Sequence, residues 1–228
     1  MSFKNIKQKT SLRFSENRMF LNFIKSLEPK DVTDAASNEV NMMKGLFYVH
    51  LYSTIEKTFN ELIENTLILI NSKCVQKNHF NLHFNSISLI NKLKSFKDCG
   101  YRSFFTKAYE LFNEMSNSDI AIISDSTFSK DLQNIWTKTI VETTKTFGMK
   151  NFFIDLKTKT TIDEIVDKRN AVAHGRETAN IIGQKFRSDD LRSKMDTVID
   201  FIAYLIESFE NFYDRKDFLK PSARKYYA

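Results

Sequence analysis

Residues 161–175 read Thr-Ile-Asp-Glu-Ile-Val-Asp-Lys-Arg-Asn-Ala-Val-Ala-His-Gly, and this stretch holds the side chains best suited to chemistry on an anion. Thr161 and Glu164 have the spacing of a capping box and Gly175 suits a left-handed stop, which predicts a helix from Ile162 to His174. At about 100° per residue, Ile162, Ile165, Val166, Val172 and Ala173 share one apolar stripe, and Arg169 falls near its middle. A guanidinium there must be paired or must face an opening, because a buried lone charge is strongly unfavourable. Two readings stand side by side. Arg169 pairs with an acid such as Glu56 or Glu164 inside a bundle, or it borders a cleft, shared by two subunits, where its planar fork meets a phosphate.

Asn170 and His174 lie four residues apart on the flank of that stripe, close enough to touch, so the amide can orient the imidazole. The last helical turn also carries partial negative charge, which favours imidazolium at His174. A titrating imidazole beside a fixed cation and an amide is an acid–base set for cleaving a phosphodiester. Taken alone, His174 serves equally well as a cap for the final carbonyls.

The elements that must position these residues read as helices. Seven Gly and Pro in 228 residues are too few for the turns of a many-stranded sandwich or barrel. Ser15 predicts the start of a first helix carrying Met19, Phe20, Phe23, Ile24 and Leu27, stopped by Pro29. From Asn38 to Asn71, apolar residues recur at three- and four-residue steps, among them Phe47, Leu51, Ile55, Phe59, Leu62 and Ile63. That is a long core helix. Residues 72–100 fit a short strand or a broken helix. Phe104, Phe105, Ala108, Leu111, Phe112 and Met115 form another helical stripe, and the 21 phenylalanines, falling mostly on such stripes, read as core. A helix over about 129–147 has Ser129 as its cap and Gly148 as its stop, and a long packing helix follows from Leu191 to Phe212. These patterns predict a single all-α bundle over 1–228, with a basic arm at 1–14 and a basic tail at 214–228.

Composition narrows the function classes. The formal charge of +6 is a modest surplus that suits an acidic partner and does not require one. Cys74 and Cys99 are the only cysteines and no short apolar leader precedes a cleavage site, so a reducing cytoplasm is expected. The run Leu67-Ile68-Leu69-Ile70 is far short of the ~20 apolar residues of a membrane span. His79 and His83, with Cys74 nearby, have a possible ligand spacing but no fourth ligand, so no metal or other cofactor is expected. Gly-rich phosphate loops and a Gly-x-Ser-x-Gly elbow are absent.

Arg169-Asn170-Ala-Val-Ala-His174-Gly175 resembles the Arg-Asn-x-x-x-His motif of the HEPN superfamily of small all-helical ribonucleases, many of them toxins or effectors of prokaryotic defence. The segment from Leu46 to Glu56 resembles the early long helix of that superfamily, and together the two imply a HEPN-like core over about 38–213. The resemblance implies a metal-independent endoribonuclease whose two subunits line one cleft. In that scheme His174 is the general base or acid, Arg169 holds the scissile phosphate, Asn170 positions the His or the phosphate, and Glu56 orients Arg169. Lys168 and Arg176 would contact the backbone of tRNA or another structured RNA. An antitoxin or defence partner is implied too. A Tyr two residues after the His marks toxins silenced by a partnered nucleotidyltransferase, and here that position is Arg176, which puts such regulation in doubt. The alternative is a catalytically silent HEPN module that binds RNA or dimerises.

Overall fold

The computed structural model describes residues 2–31, 33–128, 132 and 134–227. Among them the chain is helical throughout, in the order α1 (Phe3–Leu27), α2 (Asn38–Asn71), α3 (Leu82–Ser88), α4 (Ile90–Lys97), α5 (Phe104–Ser116), α6 (Thr137–Phe147), α7 (Leu156–Ala173), α8 (Ala179–Gly183) and α9 (Ser188–Asp214), with 3-10 turns between some of them. The fold is all-α.

α2 is the axis. Ser37 caps it, its hydroxyl accepting from the Val40 N–H, and Phe47, Leu51, Ile55, Phe59, Leu62 and Ile63 are fully buried, as their spacing predicts. Around it pack α1, α7, α8 and α9, and their inward faces form one continuous apolar cluster.

The ends of the chain differ from expectation. The first helix starts at Phe3, twelve residues before Ser15, because Phe3, Ile6, Thr10 and Phe14 already supply a helical stripe that is buried. Residues 3–14 are therefore part of α1 and not an arm. Their cations lie on its other faces, Lys7 meeting Glu210 and Arg13 gripping both oxygens of Glu61 at 2.8 Å. Met19, Phe23 and Leu27, expected in the core, are exposed. The basic tail folds back as well. Phe218, Leu219 and Ala223 are buried, and the Tyr227 hydroxyl accepts from the Gln76 N–H and bonds His79 Nδ1 at 2.8 Å.

Residues 72–100 form no strand. The period-two look of Leu82 and Phe84 belongs to α3, which starts because the Asn81 side chain accepts from the Phe84 N–H. α4 and α5 pair as a hairpin outside the core, and neither has a buried residue. The stripe of Phe104, Phe105 and Phe112 is thus correct as a helix and wrong as core, since all three rings are exposed. The expected cap Ser129 lies outside the described residues. α6 starts only at Thr137, whose N–H and hydroxyl both donate to Asp163, a carboxylate on α7. Gly148, at φ +90°, ends it as expected.

α8 crosses α2 at closest approach through two glycines. A β-carbon on Gly45 would lie 2.0 Å from the Ala179 carbonyl oxygen, and one on Gly183 would lie 1.7 Å from that of Asn41. This contact fixes where the chain runs after α7. Gly183→Ala is expected to lower stability by about 2 kcal/mol or more, a fall of roughly 4–8 °C in Tm at this length. Gly100→Ala, where nothing lies within 4 Å, should leave the thermal melt unchanged.

Candidate functional site

α7 begins at Leu156, six residues before the expected start, because Asp155 is itself a cap and accepts from the Thr158 N–H at 3.0 Å. Thr161 and Glu164 therefore lie inside the helix, and Glu164 serves Lys194 at 2.6 Å and the Tyr48 hydroxyl at 3.5 Å. The helix stops where expected, at Gly175 with φ +68°. Its last turns lie against α2.

Arg169 faces that contact. Its guanidinium carbon sits 4.1 Å above the centre of the Tyr52 ring, Nη1 donates to Asn170 Oδ1 at 2.7 Å, and Nη2 lies 3.8 Å from Glu56 Oε2. The acid that faces Arg169 is Glu56 and not Glu164. At that separation the ion pair is too long to be a hydrogen bond, and 22% of the side chain stays open to solvent. Arg169 is thus held at an edge, stacked on one side and accessible on the other.

A second layer ties this edge together. The Tyr52 hydroxyl donates to Glu56 Oε1 at 2.9 Å and accepts from the buried Ile135 N–H at 2.8 Å. Asn134, left-handed at φ 62°, donates its N–H to Glu56 Oε1 and accepts from Asn170 Nδ2 at 2.9 Å. Sequence periodicity missed Asn134, which it assigned to the interior of a helix. The signal available was the residue type, since Asn is among the few that tolerate the left-handed region. Tyr52 lies in the segment from Leu46 to Glu56 on α2, where periodicity assigns it no role. Its partnership with Glu56 is an i, i+4 pair readable from spacing.

His174 occupies the C-cap of α7. Its N–H donates to the Asn170 carbonyl at 3.0 Å, while its ring is exposed. The expected contact between the Asn170 amide and the imidazole does not form, because Arg169 and Asn134 take both ends of that amide. Asn170 orients the guanidinium instead. Five residues correspond to about 140° around a helix, so Arg169 and His174 of one chain leave α7 in different directions. Lys168 and Arg176 both approach Asp167, at 3.6 and 2.6 Å, and Arg176 is largely exposed. The structure thus brings together Arg169, Asn170 and Glu56, adds Tyr52 and Asn134, and keeps His174 apart on the same helix.

A partly exposed guanidinium, braced by an aromatic face, an amide and a carboxylate, can receive an oxyanion. The profile of the RiboL-PSP-HEPN family matches residues 10–211. The chain belongs to that family, within the HEPN superfamily. Curated proteins and solved structures give no match. All of the HEPN motif residues, and Glu56, lie within the matched span, as does most of α1. HEPN membership puts the chain among RNA-cutting or RNA-binding modules. No helix of the described residues is long and apolar enough to cross a membrane.

The Tyr52 hydroxyl is pushed up from 10.0 to about 12, chiefly by burial and further by its bond to Glu56, so it remains a donor. The fold holds this proton more tightly than the unfolded chain does. The stability it confers is therefore full below pH 10 and is lost as pH rises through about 12. Tyr52→Phe leaves the Ile135 N–H buried and unpaired, so it should cost ~1–3 kcal/mol near neutral pH. It should also flatten the decline of Tm in melts taken at increasing pH above 10. An unchanged melt at pH 7 would contradict the bridging role.

Proposed function

We propose that this HEPN protein is a metal-independent endoribonuclease of a defence or toxin system, acting on tRNA or another structured RNA in a cleft formed by a homodimer. The observation that carries the reading is the Arg169 guanidinium, braced by Tyr52, Asn170 and Glu56 on a side chain that is 22% open to solvent. In the reaction His174 takes the proton of a ribose 2′-hydroxyl, the 2′-oxygen bonds to the adjacent phosphorus, and the bond to the 5′-oxygen breaks. A protonated His174, that of the second subunit, returns a proton to the leaving 5′-oxygen. The products are a 2′,3′-cyclic phosphate and a 5′-hydroxyl. Arg169 holds the phosphate and offsets its charge in the transition state. Asn170 and Glu56 aim Arg169, and Lys168 and Arg176 bind the flanking backbone. The divergence of Arg169 and His174 around α7 supports a shared cleft, in which each chain lends its imidazole to the other's guanidinium. The cytoplasm, where Cys74 and Cys99 stay reduced, is the compartment of action, and an antitoxin or defence partner holds the enzyme silent.

The solvent-facing ring of His174, unbonded to Asn170, favours a second reading, a catalytically silent module that binds RNA or dimerises. Incubation with total RNA in EDTA decides between them. Wild type is expected to cut and to leave cyclic-phosphate ends, with His174→Ala and Arg169→Ala slower by at least about 100-fold. Cleavage that survives His174→Ala removes the mechanism, cleavage abolished by EDTA removes its metal independence, and binding without any cutting selects the silent module.

A further inference from the structure

α5 is turned inside out. Leu111 and Met115 are half-buried beneath it, and its polar edge is fastened on two sides, Glu114 to Lys77 of the 77–79 turn at 2.6 Å and Glu110 to Lys92 of α4 at 3.6 Å. The large side chains it presents to solvent are all rings. Phe105, Tyr109 and Phe112 are 76%, 70% and 65% exposed, and Tyr101, on the turn that leads into α5, is 89% exposed. At about 200 Å² per ring these four leave roughly 600 Å² of aromatic surface open, the upper end for the largest patch on a monomer. Phe105, Tyr109 and Phe112 follow an i, i+4, i+7 stripe, with steps of about 6 and 4.5 Å along the axis.

The charges around this stripe choose the occupant. Over residues 90–116 the cations Lys92, Lys94, Lys97, Arg102 and Lys107 outnumber the acids Asp98, Glu110 and Glu114, and Lys94, Lys97 and Arg102 are exposed and make no ion pair among the described residues. A second copy would bring these cations against their like. A lipid surface would also accept Phe beside Lys and Arg, but it gains from aliphatic side chains, and α5 exposes no large aliphatic one. Flat rings on a hairpin that also carries unpaired cations match single-stranded nucleic acid, whose bases stack and whose phosphates are anionic.

We propose that the α4–α5 hairpin is a platform for single-stranded RNA, on which bases stack against Phe105, Tyr109 and Phe112 while Lys94, Lys97 and Arg102 meet the backbone. This rests on RNA being the ligand of the Arg169 site. The hairpin packs on the 77–79 turn beyond the C-terminus of α2, and Glu56 lies 15 residues before Asn71. That is roughly 22 Å along the helix, or about six stacked nucleotides at 3.4 Å each. The platform would hold an unpaired stretch that flanks the cut, which makes the substrate a structured RNA with a single-stranded extension.

The test is fluorescence anisotropy of the full chain with a 2′-O-methyl 12-mer, which lacks the attacking hydroxyl and is not consumed. Phe105→Ala, Tyr109→Ala and Phe112→Ala should each weaken binding by about tenfold, with far-UV melts unchanged because the rings are exposed. Tyr109→Trp and Phe112→Tyr, which keep a stacking face, should bind within about threefold of wild type. Changing Lys94, Lys97 and Arg102 together to Gln should reduce the slope of log affinity against log salt by about 2. A triple ring-to-Ala variant that binds within twofold of wild type overturns the proposal. So does ring-dependent uptake by phosphatidylserine vesicles, or a ring-dependent dimer in sedimentation, when oligonucleotide binding is unaltered. RNA cutting with no ring effect on binding removes the platform alone, whereas ring-dependent binding by a wild type that cuts no RNA keeps the platform and removes the ribonuclease reading.

Discussion

A cation placed in the apolar ridge of α7 is the constraint around which the rest is arranged. Ile162, Ile165 and Val166 pull that ridge into the core, and the ridge brings Arg169 with it. Left alone at such a place a guanidinium is destabilising by several kcal/mol. α2 answers with the Tyr52 face beneath the guanidinium, an interaction of about 0.5–2 kcal/mol, and with the Glu56 carboxylate beside it. The remaining bonds keep those two in place. Tyr52 is locked by Ile135, and Glu56 by Tyr52 and Asn134, while Asn170 is shared between Asn134 and Arg169. One run of hydrogen bonds therefore joins the residues before α6, the middle of α2 and the end of α7.

This bracing leaves Arg169 short of full neutralisation. A carboxylate in bidentate contact would satisfy the fork and close it. Glu56 stands 3.8 Å away and is itself occupied by two donors, so the outer edge of the guanidinium keeps its capacity for an incoming oxyanion. That difference distinguishes Arg169 from Arg13, whose Nη2 meets both oxygens of Glu61 at 2.8 Å and ties α1 to α2.

Much of this was legible in residue order, and what was not has a physical reason. The cores of α2 and α9 follow from unbroken three- and four-residue spacing, and Gly148 and Gly175 stop their helices because they alone adopt the required φ freely. The importance of Arg169 is visible as a charge that breaks a stripe. Helix starts are less legible, since several residue types cap equally well and distant groups take part. Asp155 displaces Thr161, and α6 borrows Asp163 from across the bundle. Periodicity also says that α5 has an apolar face without saying what covers it. The rings of Phe105 and Phe112 look like core until the hairpin is seen to stand clear of the body. Asn134 is the deepest omission, because its role depends on contacts with Glu56 and Asn170 that lie far away in sequence.

The single-turnover RNA cleavage rate of Arg169→Lys, taken beside its thermal melt, separates a phosphate grip from a packing role for this side chain. Lysine keeps the positive charge and loses the planar fork, so a rate at least about 100-fold below wild type is expected. The accompanying change in Tm should be no more than about 4 °C, the weight of a weakened stack on Tyr52. Cleavage at the wild-type rate, or a rate that falls only in step with unfolding, would contradict a phosphate-gripping role for Arg169.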